Sequence, residues 1–128
     1  MKKGTKEEYA KYRFQRAEET YNDALLMAEK GSWNSAINRL YYSCFYAVMA
    51  LLIKNDIETK THNGTKSQFG IHFIKNGIID KSYNTLYTRL FDYRQKGDYG
   101  DLFDYDEETI KPLIEPVREF LDVIKKHL

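Results

Sequence analysis

Residues 33–55 read WNSAINRLYYSCFYAVMALLIKN, the most apolar stretch of the 128-residue chain. Its apolar residues recur at intervals of three and four, which predicts a helix that is apolar around most of its circumference. Such a helix either lies at the centre of a bundle or carries a dimer contact. The stripe comprises Trp33, Ile37, Leu40, Tyr41, Cys44, Ala47, Val48, Leu51 and Leu52, and a second face carries Tyr42, Phe45, Tyr46 and Met49.

The rest of the chain also has helical periodicity, and no stretch alternates with period two for long enough to predict a strand. Further helices are predicted at 5–30, 66–75, 81–96 and 106–126, with a loop at 55–66 and a turn at 97–101. The predicted fold class is all-α: a single domain over residues 1–128, built as an antiparallel bundle of four long helices and one short helix.

Several residues mark the expected helix ends. Gly31 fits the end of the first helix, Ser32 the N-cap of the central helix and Asp80 the N-cap of the fourth. Pro112 and Pro116 each lack a backbone donor, so we expect a bend in the last helix or a later start. An acidic run at 101–108 is interpreted as the solvated N-terminus of that helix rather than as a metal site.

Composition narrows the function classes. Gly and Pro together are only 9 of 128 residues, which excludes a disordered chain, and a single cysteine excludes an intramolecular disulfide framework. The longest apolar run, Cys44 to Ile53, is about half the ~20 residues that span a bilayer. We therefore expect no membrane span, no signal peptide and a cytoplasmic protein. The net charge of +1 argues against a broadly basic nucleic-acid binder but leaves room for a local site.

No metal or cofactor motif is present in the sequence, since it has no glycine-rich phosphate loop, no His-x3-His pair and no CxxC. Arg94 falls in phase with Leu90 and Tyr87 on an apolar stripe. A charged residue there must pair with a carboxylate, extend to solvent or face a cleft, and Asp98 or Asp101 would serve for a structural ion pair. His62 lies in a polar loop, where a functional role is more common than in a helix.

Three stretches resemble the sequence blocks of HEPN-domain proteins, which are small all-helical prokaryotic proteins. They are NRLYYSCFYA at 38–47, TKTHNG at 59–64 followed by Phe69 and Phe73, and Arg94-x3-Asp98-Tyr99 followed by GD at 100–101. The third block resembles a stand-alone subgroup with an Arg-x3-Asp-Tyr sequence. The resemblance extends over residues 9–124.

This resemblance implies a homodimer and, as a partner, a minimal nucleotidyltransferase in a toxin–antitoxin pair. Many HEPN domains are metal-independent endoribonucleases with an Arg-x4-6-His motif, in which histidine moves a proton and arginine holds the phosphate. Here Arg94 corresponds to the motif arginine, and Tyr99 occupies the place of the histidine. Tyrosine has a pKa near ~10 and is a poor base at neutral pH, so ribonuclease activity does not carry over directly.

Asn38 and Tyr42 lie one helical turn apart and could meet Arg94, so they join His62 and Asp98 as candidate ligand-binding residues. Arg94 and Tyr99 are the candidate catalytic pair, expected on a concave, solvent-reached surface near a two-fold axis.

Three functions stay open: a dimeric module that binds RNA or a nucleotide, an active endoribonuclease that uses Arg94 with Tyr99 or His62, and a non-catalytic interaction protein. Tyr99 or Tyr105 could also be adenylylated, because the resemblance implies that some family toxins are silenced in this way.

Overall fold

The computed structural model describes residues 3–99 and 104–128, and side chains from residue 4 to residue 98 and from 104 onward. These residues form helices and no strand, which confirms the all-α class. The helices are α1 (Lys3–Glu29), α2 (Trp33–Lys54), α3 (His62–Phe69), α4 (Lys81–Tyr99), α5 (Glu107–Ile110) and α6 (Ile114–Lys126). A π-helical turn, Gly70–Ile74, extends α3, and a 3-10 turn, Lys111–Leu113, joins α5 to α6.

Helix α2 is the centre of the bundle, and it contacts α1, α3, α4, α5 and α6. Leu40, Tyr41 and Leu51 are among its fully buried side chains. Burial of a large apolar side chain stabilises a fold by roughly 1.5–3 kcal/mol, so the buried stripe of α2 contributes strongly to the free energy of folding. By length and composition α2 could also cross a membrane, but most of it is buried against the other helices, as in a core helix.

The turn between α1 and α2 is closed by Gly31. Its backbone has φ +74°, its N–H donates to the carbonyl of Ala28 at 3.0 Å, and the N–H of Ser32 donates to Met27 at 2.9 Å. This pair of bonds is a Schellman motif, which confirms the predicted stop. Ser32 occupies the N-cap position of α2, but its side chain makes no capping hydrogen bond, because its ψ of 77° is far from the extended backbone of capping residues.

Two other boundaries differ from the prediction. Helix α3 begins at His62 rather than at residue 66, because the side chain of Thr61 accepts the N–H of Gly64 at 2.8 Å and caps the helix. Helix α4 continues to Tyr99, so the predicted turn is wrong for residues 97–99, and residues 100–101 lie outside the described part. A Cβ at Gly97 would come 3.3 Å from the ring of Tyr105, so this glycine serves close packing within a helix.

The remaining helix signals are confirmed. Asp80 accepts the N–H of Ser82 at 3.0 Å at the start of α4. Asp106 accepts the N–H of Thr109 at 2.9 Å, which caps α5 and lowers the pKa of this carboxyl. The expected bend of the last helical segment is the 3-10 turn that contains Pro112, whereas Pro116 lies in the first turn of α6, where no N–H partner is needed.

Candidate functional site

Arg94 lies inside an aromatic cage at the contact between α4 and α2. Its side chain is only 6% exposed. The guanidinium carbon is 4.9 Å from the ring centre of Tyr41, 5.7 Å from that of Tyr42 and 6.0 Å from that of Phe91. Aromatic faces attract a cation at these distances, which partly compensates for the removal of the charge from water.

A chain of polar contacts runs from Arg94 to the surface. Arg94 Nη1 lies 3.6 Å from Oδ2 of Asp98, and Asn38 Nδ2 donates to both Asp98 oxygens at 3.3 and 3.1 Å. Arg39 then donates from Nε and Nη2 to Oδ1 of Asn38, at 3.0 and 2.7 Å. We call Arg94, Asp98, Asn38 and Arg39 the Arg94 network.

The outer members of the Arg94 network border an open groove of about 550 Å³. Arg94 lies behind Asp98 and does not line it. The lining residues are Asp23, Met27, Asn34, Ser35, Asn38, Arg39 and Asp98. The expectation that Arg94 reaches solvent is therefore wrong for the single chain, because the aromatic cage and Asp98 cover it. The expected ion pair between Arg94 and Asp98 is present, and its Asp98 end lines the groove.

Arg94 is poorly satisfied for a buried charge. Its Nε is buried and has no hydrogen-bond partner among residues 3–99 and 104–128. A buried donor without a partner costs about 1–3 kcal/mol, and more on a charged group. Native folds avoid such groups except where water, an ion or a function accounts for them.

His62 lies on the other side of the same aromatic residues. Its Nδ1 is 2.8 Å from the hydroxyl of Tyr41, its ring stacks on Phe45 at 4.4 Å between centres, and it meets Tyr42 edge to face at 5.7 Å. Burial lowers the pKa of His62, and the positive charge of Arg94 lowers it further. Burial raises the pKa of Tyr41, so this phenol keeps its proton at neutral pH.

The structure thus brings five of the six sequence candidates into one cluster. Tyr42 contacts Arg94 and His62 directly, and Asn38 reaches Arg94 through Asp98. The roles of these residues stay predictions. Tyr99 ends α4, and its side chain lies outside the described residues, so its placement also stays a prediction.

Sequence reasoning missed two members of the cluster. Arg39 stacks over the ring of Tyr42 at 5.3 Å, and the signal for it was a charge that interrupts an apolar stripe beside Asn38. The apolar stripe predicts only packing for Tyr41, but its hydroxyl also lies 2.8 Å from Nδ1 of His62. No local signal could show that contact, because it joins residues 21 apart along the chain.

The remaining reactive residues have structural explanations. Cys44 is fully buried, and burial raises the pKa of its thiol. His72 is exposed and contacts Gln68 at 3.0 Å, and His127 is exposed at the end of α6. Tyr105 donates its hydroxyl to the carbonyl of Tyr93 at 2.9 Å. Within the described ranges, no group of three or more His, Cys, Asp or Glu side chains could hold a metal ion.

Fold and site together define a small helical domain with an arginine network at the contact between its central helix and α4. The HEPN domain family profile matches residues 10–127, and the chain belongs to that family.

Relatives of similar length support this assignment. A "UPF0332 protein" of Thermotoga maritima is 38% identical over 121 residues, which are 94% of this chain and 92% of the relative. Two proteins of Methanocaldococcus jannaschii are also similar. "Putative toxin MJ0605" is 32% identical over 88% of this chain and 83% of its own length, and "Putative toxin MJ0142" is 33% identical over 80% and 74%.

Proposed function

We propose that this chain is a toxin-type HEPN module that forms a homodimer and binds the phosphate groups of RNA, or of a nucleotide, at the Arg94 network and the adjoining Tyr42. A minimal nucleotidyltransferase encoded with it acts as its antitoxin partner in the cytoplasm. The family membership and the toxin names of two relatives support the general assignment.

The convergence of contacts on Tyr42 carries the proposal. Arg39 at 5.3 Å, Arg94 at 5.7 Å and His62 at 5.7 Å all meet this ring, which is itself only partly buried. Guanidinium groups hold phosphates, and unpaired bases stack on aromatic rings. Cations and a stacking surface at one position therefore fit a short stretch of single-stranded RNA or a nucleotide.

The charges around the site indicate that it binds only a few phosphate groups of a ligand. Asp98 neutralises part of the charge of Arg94, and Asp23 lies in the same groove. A bound phosphate must compete with Asp98 for Arg94. With a net charge of only +1, the chain lacks the basic surface that would bind many phosphates. We therefore expect moderate affinity with a shallow salt dependence.

Titration with a fluorescein-labelled single-stranded 20-nucleotide RNA, and separately with labelled ATP, tests the proposal by fluorescence anisotropy. The variants are Arg94→Lys and, as a matched control, Arg118→Lys. Like Arg94, Arg118 stacks on a tyrosine and pairs with an aspartate four residues later. We expect the wild type and Arg118→Lys to bind alike and Arg94→Lys to bind about tenfold more weakly, a difference of ~1.4 kcal/mol. Equal weakening of both variants would contradict the proposed site.

Two further measurements test whether the chain cleaves RNA and whether it forms a dimer. Denaturing gels of the same RNA after incubation separate binding from cleavage, and cleavage that is lost in Arg94→Ala would establish the endoribonuclease instead. Sedimentation equilibrium measures the assembly, for which we expect twice the 15.2 kDa chain mass. A monomer at micromolar concentration would contradict the dimer.

A further inference from the structure

We infer that His62 is a hydrogen-bond donor of the ligand site, which gives the Nε2 proton of a neutral imidazole to a phosphate oxygen, and that Tyr41 fixes this tautomer. The inference rests on the proposed phosphate-binding function and assigns His62 a specific part in it.

Tyr41 determines which nitrogen of His62 carries the proton. The Tyr41 side chain is fully buried, and its hydroxyl lies 2.8 Å from Nδ1 of His62. The neighbouring hydroxyl of Tyr87 acts on Tyr41 as a donor, because their contact opposes the burial-raised pKa of Tyr41 and adds to that of Tyr87. The proton of Tyr41 is then left for Nδ1 of His62. Because the phenol donates, Nδ1 must offer its lone pair, and the proton of a neutral ring is then on Nε2.

The surroundings of His62 favour the neutral ring. Three aromatic residues of α2, namely Tyr41, Tyr42 and Phe45, contact the ring of His62. The guanidinium of Arg94, on α4, also lies against the rings of Tyr41 and Tyr42. His62 is also the first residue of α3, where the positive end of the helix dipole disfavours a cation. Burial and the charge of Arg94 lower its pKa accordingly.

The Nε2–H group is the part of the ring left for a ligand. His62 is partly exposed, and within residues 3–99 and 104–128 its hydrogen bond is the one that Nδ1 accepts from the hydroxyl of Tyr41. Together with the guanidiniums of Arg39 and Arg94, it forms a third donor around Tyr42. This arrangement also restricts the chemistry, because a ring with Nδ1 engaged and Nε2 protonated cannot accept the proton of a ribose 2′-hydroxyl. The site therefore favours binding over cleavage.

Nitrogen-15 NMR of the full chain, labelled at its histidines, tests the tautomer without a ligand. The His62 signals are assigned by their loss in His62→Gln. At pH 7 we expect His62 to be neutral with the proton on Nε2, and in Tyr41→Phe we expect a mixture of both tautomers. A ring protonated on Nδ1, or charged, in the wild type would overturn the inference.

Anisotropy with the labelled 20-nucleotide RNA tests the donor. Loss of one neutral hydrogen bond, worth ~1 kcal/mol, predicts about fivefold weaker binding in His62→Ala. His62→Gln carries an amide N–H near the position of Nε2 and should bind within twofold of wild type. His72→Ala, which alters an exposed histidine on the extension of α3, should leave binding unchanged.

The outcomes separate this inference from the function it rests on. RNA binding by the wild type that persists unchanged in His62→Ala overturns the donor role and leaves the proposed function standing. A wild type that binds neither RNA nor ATP overturns the proposed function itself. Thermal unfolding of His62→Ala shows whether weaker binding reflects a damaged fold, and His62→Gln should recover the binding if the donor is what matters.

Discussion

Arg94 and Arg118 occupy similar local settings at two places in the bundle. Arg94 stacks over Tyr41 at 4.9 Å, and Arg118 stacks over Tyr21 at 5.0 Å. Each is followed four residues later by an aspartate to which it is paired. The two differ in burial, because the Arg118 side chain is 30% exposed and that of Arg94 only 6%.

The more exposed Arg118 has more hydrogen bonds than the more buried Arg94. Arg118 donates to both oxygens of Glu18, at 2.7 and 2.9 Å, and to Asp122 at 3.0 Å, and the bond to Glu18 raises its pKa. Arg94 has a 3.6 Å ion pair with Asp98 and a buried Nε without a partner among the described residues. A fold optimised for stability would satisfy the buried arginine first. We therefore interpret Arg118 as a clamp between α1 and α6, and Arg94 as a residue that serves binding.

The largest expected effect is a loss of RNA affinity in Arg94→Met. Removal of the guanidinium leaves the site without its central cation, and hydrogen bonds to charged groups are worth ~1.5–3 kcal/mol, so RNA affinity should fall at least tenfold. Anisotropy with the labelled RNA measures this loss. Arg118→Met is the matched control and should bind like the wild type. If both variants bind like the wild type, the Arg94 network is not the binding site.

The next effect is on stability, and here the larger loss is expected in Arg118→Met rather than in Arg94→Met. Arg118→Met removes three charge-assisted hydrogen bonds, and since Arg118 is partly exposed, we expect a loss of about 1–2 kcal/mol in the free energy of unfolding. Urea denaturation followed by circular dichroism measures it. Glu18→Gln should show part of the same loss, because Glu18 accepts two of the bonds. An unchanged urea midpoint would show that the clamp contributes nothing.

A smaller effect is expected from the two aspartates. Asp98→Asn removes the negative charge that competes with phosphate for Arg94, so RNA affinity should rise about threefold, or ~0.7 kcal/mol. Asp122→Asn changes the equivalent charge beside Arg118 and should leave affinity unchanged. Paired RNA titrations compare them. Weaker binding by Asp98→Asn would mean that Asp98 positions Arg94 and does not compete with the ligand.

The smallest effect is a pH dependence at His62. Its pKa is lowered in the fold, so the folded state binds fewer protons than the unfolded chain near and below pH 6.5. The contribution of the neutral ring is complete above that pH and is lost as the pH falls through the lowered pKa. Between pH 7 and pH 5, the urea midpoint of His62→Gln should therefore fall less than that of the wild type. His72→Gln is the control, and an equal slope for His62→Gln and wild type would contradict the neutral ring.

The sequence was sufficient for the parts that depend on local periodicity. The stripe of α2 predicted a helix that is central or carries a dimer contact, and Gly31 predicted the end of the first helix. An ion pair of Arg94 with Asp98 or Asp101 was one of the predicted alternatives, and the structure has the pair with Asp98. Each of these follows from contacts within one helical turn or from one backbone conformation. The family blocks added the motif arginine, which periodicity alone left between a structural and a functional interpretation.

What the sequence could not predict depends on how distant segments meet. The cap by Thr61 sets where α3 begins, and the path of the preceding loop brings His62 under Tyr41. Gly97 looked like a turn residue because its packing partner, the ring of Tyr105, lies beyond the helix. The burial of Arg94 likewise depends on aromatic residues of α2, so its exposure could not be judged from α4 alone.

The central claim is that Arg94 is retained for binding rather than for folding, and the free energy of unfolding of Arg94→Met tests it most directly. Asp98 is 29% exposed and keeps its contact with Asn38, so loss of Arg94 leaves no isolated buried charge. Replacement of a whole buried ion pair by apolar residues is often neutral or stabilising, and removal of one partner is costly mainly when the other charge is left buried and uncompensated. We predict a free energy of unfolding within about 1 kcal/mol of wild type, or above it. A loss as large as that of Arg118→Met, or larger, would contradict the claim and make Arg94 a structural residue.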